Sequence, residues 1–231
     1  MTTDQQIKER LAAAGLTLDR FKSPETVTTT APPKPPAFEQ TQVATSTTGL
    51  GIPAKKPFII SNSDKELLEV VDRMSSNGLN TNVLVTGPQG IGKSELAVQF
   101  AASRGRPLAT LEIGNLAEAS QIFGRMDLKD GATTYIPGLF TEAITTPGAV
   151  VHLQEINRPE NDKALNAIFS VLDDTYRSIW IEELQKAVAV APGVTFFASL
   201  NEGFQFIGTL PLDEALRNRF HIKMDLAPLP F

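Results

Sequence analysis

The chain contains the stretch Gly87-Pro88-Gln89-Gly90-Ile91-Gly92-Lys93-Ser94, and the apolar run Val83-Leu84-Val85 leads into it. The stretch fits G-x-x-x-x-G-K-[ST], in which glycines let the backbone turn tightly and aim N–H groups at phosphate oxygens. The amphipathic segment 95–102 predicts a helix whose positive amino-terminal end favours a bound phosphate. Strand, glycine-rich turn and helix together predict a phosphate-binding loop, and a glycine-rich turn that merely caps a helix is the alternative.

The residue types of this loop predict how it would hold a nucleoside triphosphate. Backbone amides of residues 87–92 would cradle the phosphates, and Lys93 would reach the β- and γ-phosphates. The Ser94 hydroxyl would ligate Mg²⁺. The loop therefore predicts a site for a nucleotide and its metal.

A second apolar run, Val150-Val151-His152-Leu153, ends at Gln154 and Glu155. Nucleotide hydrolysis needs an acidic group at the end of a second buried strand, so we expect Glu155 to polarise the attacking water. A glutamate that is merely exposed at a strand end is the alternative. We expect His152 to be a core histidine that is hydrogen-bonded to a neighbour.

Composition sets outer bounds on the function. The 231 residues allow one α/β domain with an appendage, and 21 basic against 26 acidic residues give a net charge of -5. This charge argues against a nucleic-acid partner. The chain has no cysteine, which excludes disulfides and thiolate metal sites. We find no apolar signal segment and no run long enough to cross a bilayer, so we expect a soluble cytoplasmic protein without a membrane partner.

The chain divides into three regions. Residues 1–22 predict a short helix, and residues 23–57 are rich in Thr and Pro. Such a composition buries too little apolar surface to offset ordering entropy, so it predicts a flexible linker, with a docking peptide for a partner as the sharper alternative. In region 58–231, helical and extended patterns alternate, which predicts a parallel sheet covered by helices.

Individual elements follow from the same patterns. One helix is predicted at Ser63–Ser76, capped by Ser63 with Glu66, and another near Pro159–Leu172. A β-hairpin is predicted from residues 179–181 and 187–190. The strands are predicted at Asn82–Thr86, Leu108–Glu112, Ala149–Leu153, Val194–Leu200 and His221–Asp225, with apolar runs that suit burial on both faces.

Further motifs accompany the loop in order: Glu112-Ile113 with Phe123–Gly131, Tyr135–Gly138, Glu155–Arg158, Phe196–Asn201 and Leu212–Phe220. Together they resemble the MoxR branch of the AAA+ ATPases, within it the group of the CbbQ, NorQ and cobalt-chelatase small-subunit proteins. The similarity covers about residues 58–226. It implies a P-loop NTPase core, with a parallel five-stranded sheet sandwiched by helices and a β-hairpin insert.

The resemblance also implies roles that the residues alone do not assign. Asn201 would be the sensor-1 residue, which contacts the γ-phosphate or the attacking water. Arg219 would be the arginine finger that enters a neighbouring subunit's site, with Arg217 as second choice. ATP and Mg²⁺ would be bound by a homo-oligomeric ring, usually a hexamer, and the partner would carry a von Willebrand factor A domain. Segments 124–138 and 178–192 would face the ring's pore or a partner, and surface packing is their alternative.

Two departures from the family pattern qualify these roles. Gln154 stands where the family carries Asp, so its amide would accept a hydrogen bond from a metal-bound water without contributing charge. The helical lid is missing after the arginine box, which is the segment Leu212–Phe220, and this implies a fragment or a partner that supplies its contacts. We predict an ATP-hydrolysing ring protein that remodels or activates a partner. A nucleotide-gated scaffold with weak or no hydrolysis is the main alternative, and a GTP-using restriction-type subunit is another.

Overall fold

The computed structural model describes residues 50–115, 122–129, 132–157, 168–200 and 212–228. All of them belong to one compact unit, Thr41–Phe231. The predicted helix at residues 1–22, most of the linker, most of the predicted helix near Pro159–Leu172, and Asn201 lie outside the described residues.

The described segments form the following α-helices and strands. They are α1 (Asn62–Ser76), β1 (Thr81–Thr86), α2 (Lys93–Ser103), β2 (Leu108–Glu112), β3 (Gly124–Lys129), β4 (Ala132–Pro137), α3 (Leu139–Thr145), β5 (Val150–Gln154), β6 (Ser178–Ile181), β7 (Lys186–Ala189), β8 (Thr195–Ser199), α4 (Glu214–Arg217) and β9 (Ile222–Asp225). Residues 168–172 are also helical. Every predicted strand is present, and β6 and β7 form the predicted hairpin. No helix of the described segments is long and apolar enough to cross a membrane.

A parallel five-stranded sheet organises the fold, with the order β2-β5-β8-β1-β9. The register pairs every neighbour in parallel. After β1 the chain crosses to the far edge of the sheet, then returns through β5 and β8 and passes beyond β1 to β9. In such open sheets, ligands bind beyond the carboxyl ends of the strands at the point where the order reverses. The loop after β1 lies at that point, and the predicted fold class is confirmed.

The central strands are buried on both faces. In β1, Leu84 packs into one apolar cluster, while Val83 and Val85 pack into a second cluster together with residues of α1 and α2. In β8, Phe196 and Phe197 alternate in the same way. Each fully buried phenylalanine contributes roughly 2–3 kcal/mol through removal of apolar surface from water. This double burial explains why the strands read as continuous apolar runs.

The amino-terminal cap of α1 differs from the prediction. Ser61, not Ser63, is the cap: its backbone is extended, and its Oγ accepts a hydrogen bond from the Asp64 amide at 3.1 Å. The Ser61 hydroxyl also donates to Asp64 Oδ2 at 2.6 Å. The predicted Ser63–Glu66 box is therefore wrong by two residues, because Ser61, two residues earlier, already accepts the hydrogen bond of the Asp64 amide in the first turn.

A second antiparallel ribbon, β3–β4, was not predicted as strands. The base of this ribbon is closed by Phe123, whose carbonyl accepts hydrogen bonds from the Tyr135 hydroxyl and from Thr141 Oγ1. Toward the tip, Met126 and Leu128 are exposed. The ribbon lacks a clean alternation of buried and exposed apolar residues, so its period-2 signal is weak.

Residues assigned to the end of the linker contact the core. The Leu108 amide donates to Gly51 O at 3.0 Å, which forms an antiparallel bridge at the edge of β2. The Lys56 amide donates to Gln99 Oε1 at 2.8 Å, on α2. Contacts with the core thus begin by residue 51, whereas the composition places the start of the core at residue 58.

Candidate nucleotide-binding site

The loop between β1 and α2 has a backbone that requires glycine at two positions. Gly87 has φ 139° and Gly92 has φ 100°, both in the left-handed half of conformational space. A Cβ at Gly87 would lie 2.6 Å from the carbonyl oxygen of Leu226, so any other residue would force the backbone to shift. At Gly92 a Cβ would come within 3.3 Å of the Phe58 ring. The loop is therefore packed between the chain segments before α1 and after β9.

The start of α2 is left open to an anion. Gly92 is the N-cap and provides no side-chain hydrogen bond, in contrast to the serine cap of α1. The first amides of a helix have no partner inside the helix, and its dipole places partial positive charge there. Ser94 lies half-buried in this first turn. Amides, helix dipole and hydroxyl thus converge where the motif predicts phosphate and metal.

Lys93 is held inside the loop. Its side chain is 8% exposed, and Nζ donates to Gly87 O at 2.8 Å and to Pro88 O at 2.7 Å. Burial lowers the pKa of Lys93, and the negative charge of Glu155 acts in the opposite direction. An anionic ligand would compete with these two carbonyls for the N–H groups of a desolvated ammonium, in a setting where charge–charge attraction is strong.

Glu155 follows the carboxyl end of β5 with a strained backbone. Its φ is 52°, a left-handed conformation that costs a residue with a side chain about 1 kcal/mol. The Ile156 amide donates to Ser199 O at 3.1 Å, so the segment after β5 is attached to the end of β8. Gln154 and Glu155 are both half-buried. The strain is maintained by the neighbouring strand, as is common at functional sites.

His152 is the core histidine that the sequence predicts. Its Nε2 is hydrogen-bonded to Ser199 Oγ at 3.1 Å, and burial lowers its pKa to about 4, so the ring is neutral near pH 7. The Leu200 amide donates to Val85 O at 3.2 Å. The carboxyl ends of β1, β5 and β8 are therefore held together by side-chain and backbone hydrogen bonds.

Arg219 lies away from the phosphate loop. Its Nη1 donates to Ala215 O at 2.9 Å, and its Nη2 lies 3.7 Å from Asp173 Oδ2. Its carbonyl accepts a hydrogen bond from Asn82, near the start of β1. Asn82 and Thr86 are separated by about 13 Å along the strand at about 3.3 Å per residue. Arg219 is therefore at the opposite end of β1 from the loop, and Arg217 is exposed.

The structure brings the predicted residues together only in part. The loop 87–94, Gln154 and Glu155 share the carboxyl edge of the sheet, whereas Arg219 does not, and Asn201 is outside the described residues. Sequence reasoning missed the contacts of Phe58 and Leu226 with the loop. Neither residue belongs to a motif, so only the packing identifies them.

Comparison with known proteins finds one matching family and several similar proteins. Residues 82–220 match the AAA domain of the dynein-related subfamily. BssE of Thauera aromatica, whose name describes a candidate chaperone, is 50% identical over 179 residues, which cover 77% of this chain and 62% of BssE. NorQ of Paracoccus denitrificans is 32% identical over 164 residues, 71% of this chain and 58% of NorQ. The chain thus spans about three-fifths of the length of these curated relatives.

A solved structure of a RuvB variant from Thermotoga maritima has a similar fold. Its TM-score is 0.50 at 22% identity, and the match covers 74% of this chain and 47% of RuvB. At this identity the likeness concerns the arrangement of strands and helices alone.

Proposed function

Because the chain belongs to the AAA domain family, in its dynein-related subfamily, we propose that it binds ATP with Mg²⁺ and hydrolyses it within a homo-oligomeric ring. The reaction would remodel or activate a partner protein. The observation that carries the proposal is the buried Lys93 ammonium inside a left-handed glycine loop at the start of α2, with the Glu155 charge acting on it. Catalysis in such a site consists of positioning and charge stabilisation.

The residues divide the work as follows. Loop amides and Lys93 hold the phosphates, which stabilises the negative charge that develops on the transferred group. Glu155 accepts a hydrogen bond from the attacking water and orients it. Asn201, which follows the β8 segment in the sequence, is proposed to contact the γ-phosphate or that water.

The metal would be held by Ser94 together with the phosphates, and Gln154 would accept a hydrogen bond from a metal-bound water. Within the described segments, no group of three His, Asp or Glu residues is arranged to hold a metal ion. A single hydroxyl, the phosphates and several waters are the ligands that Mg²⁺ takes in nucleotide sites, so Ser94 and the phosphates fit this ion. When bound, the ion would neutralise charge on the β- and γ-phosphates.

Arg219 is proposed to complete the site of a neighbouring subunit. At the opposite end of β1 from its own loop, it is too distant to reach the nucleotide of its own chain. A ring, usually of six subunits in this branch, would bring the two ends together at each interface. Each site would then be complete only in the assembly.

The partner is proposed to be a protein, in line with the chaperone wording in the name of BssE. The family resemblance points to a von Willebrand factor A domain in that partner. The proposed location is the cytoplasm, where ATP is available. A nucleotide-gated scaffold with little hydrolysis is the second candidate, and the observation that favours it is Gln154, which contributes no charge beside the metal.

The test compares the wild type, Lys93→Ala and a matched control, Lys65→Ala. Lys65 is an exposed lysine of α1. A charge-assisted hydrogen bond is worth about 1.5–3 kcal/mol, so we expect about 10- to 100-fold weaker binding of a fluorescent ATP analogue to Lys93→Ala alone. Equal affinity in all three proteins would refute the nucleotide site. A phosphate-release assay, with and without partner, then separates the ATPase from the scaffold, and competition by GTP determines base preference.

A further inference from the structure

Asn82 is a buried polar residue in the otherwise apolar β1 strand. Its Nδ2 donates to Leu172 O and to Arg219 O, both at 2.8 Å, and its Oδ1 accepts from Arg177 Nη1 at 3.2 Å. Both amide donors and the oxygen are therefore in use. Its backbone amide also donates to His221 Nδ1 at 3.1 Å. One side chain thus joins the helical residues 168–172, the segment before β6 and the arginine box.

Arg177 connects this amide to the base of the β6–β7 hairpin. The Arg177 carbonyl accepts a hydrogen bond from Val190, which closes the hairpin at its base. Arg177 Nη2 donates to Val194 O at 2.9 Å, just before β8, and the guanidinium lies 5.3 Å from the centroid of the Phe196 ring. Arg177 thereby attaches the hairpin base to the sheet, and one hydrogen bond connects Arg177 to Asn82.

The arrangement costs free energy that simple packing would avoid. A buried amide is tolerated only with all its partners, and Arg177 has φ 33°, which is unfavourable for a residue with a side chain. An apolar residue at position 82 would continue the pattern of β1 without these requirements. The polar connection has a second consequence, because it fixes the backbone of Arg219 itself relative to the hairpin base.

We propose that Asn82 is a positioning residue that holds the Arg219 backbone in a fixed relation to the base of the β6–β7 hairpin. A displacement of the hairpin then changes how Arg219 is presented to the neighbouring subunit. This inference rests on the proposed function, because it requires Arg219 to act in trans. Asn82 does not serve its own nucleotide site, since it lies at the opposite end of β1 from the loop.

The test uses mixed assemblies of two variants of this chain. A donor subunit carries Glu155→Gln, so it can supply Arg219 but cannot hydrolyse. An acceptor subunit carries Arg219→Ala, so it can hydrolyse only beside a donor. Asn82→Ser is then added to the donor in one mixture and to the acceptor in another. Asn80→Ser is the control, because Asn80 binds Asp174 and not Arg219.

We expect Asn82→Ser to lower the ATPase rate at least fivefold in the donor and less than twofold in the acceptor. A merely structural role would lower both mixtures alike. Equal losses, or no loss in either, overturn the inference while the proposed function stands. The mixture of Glu155→Gln and Arg219→Ala subunits without a change at Asn82 is the reference. If its assemblies contain both subunits but regain no activity, the proposal that Arg219 acts in trans is refuted, and the inference is refuted with it.

Thermal denaturation shows whether the Asn82→Ser protein is folded. If it is not, Arg177→Lys in the donor gives a second, independent measurement. It keeps the charge but loses the planar fork that reaches Asn82 and Val194 together. We expect a donor-side loss of at least threefold. An unchanged rate in the donor would show that the hairpin base has no influence on Arg219.

Discussion

We expect His152→Gln to remove much of the acid sensitivity of folding between pH 7.5 and 5. The His152 side chain is 1% exposed, and within the described part of the chain its Nδ1 has no hydrogen-bond partner. A proton on this ring would be a buried charge without a counter-ion, which is why burial lowers its pKa to about 4. Glutamine keeps an amide that can reach Ser199 but does not titrate.

The magnitude follows from the two pKa values. The unfolded chain binds a proton with a pKa of 6.5, and the folded protein does so only at about 4. The stabilisation is therefore complete above pH 6.5 and is lost as the pH falls toward 4, at about 1.4 kcal/mol per pH unit. The whole loss is about 3 kcal/mol, of which about 2 kcal/mol has occurred by pH 5.

Urea unfolding at pH 7.5, 6 and 5 measures this effect. The free energy of unfolding of the wild type should fall about 2 kcal/mol further than that of His152→Gln over this range. The chain has two histidines, so His221→Gln is the matched control. His221, unlike His152, is not buried and is hydrogen-bonded to Asp174, so this variant controls for the replacement of a histidine as such. Parallel pH profiles for the wild type and His152→Gln would refute the reasoning.

Three further expectations concern the loop, the metal and the sheet. Gly87→Ala should lower the free energy of unfolding by about 2–3 kcal/mol, because its Cβ would lie 2.6 Å from Leu226 O. The control Gly90→Ala should lower it by only about 1 kcal/mol through backbone strain, because its Cβ meets open space. Urea unfolding compares the two variants, and equal losses would contradict the packing argument. Gln154→Asp should lower the Mg²⁺ concentration needed for half-maximal hydrolysis, because a carboxylate holds metal-bound water more strongly than an amide; overlapping Mg²⁺ titrations would mean that the missing charge is tolerated. Arg106→Met should lower the free energy of unfolding by about 3 kcal/mol without changing nucleotide affinity, because the guanidinium donates to Gly148 O before β5 and to Gly193 O before β8. Unaltered urea unfolding would show that these hydrogen bonds are dispensable.

Recognition of a MoxR-branch AAA+ ATPase from the motifs is confirmed by the match over residues 82–220 and by the similarity to BssE and NorQ. The strands were predictable because burial on both faces leaves continuous apolar runs. The β3–β4 ribbon was not, because Met126 and Leu128 are exposed and give no inward-facing period. The cap of α1 was misplaced because Ser61 and Ser63 both stand at the start of the helical pattern, and only the backbone angles and the hydrogen bond of Ser61 distinguish them.

The sequence by itself determined the features that depend on neighbouring residues. A loop of glycines, lysine and serine between a strand and a helix is local, and so are the apolar runs of the sheet strands. Tertiary structure alone decided the features that depend on the crossing of the chain. It set the carbonyl of Leu226 against Gly87, and Asn82 against the carbonyl of Arg219, 137 residues away. Local patterns restrict dihedral angles and periodicity, but contacts between distant residues follow from strand order and packing, because the same side chains could meet other partners in another topology.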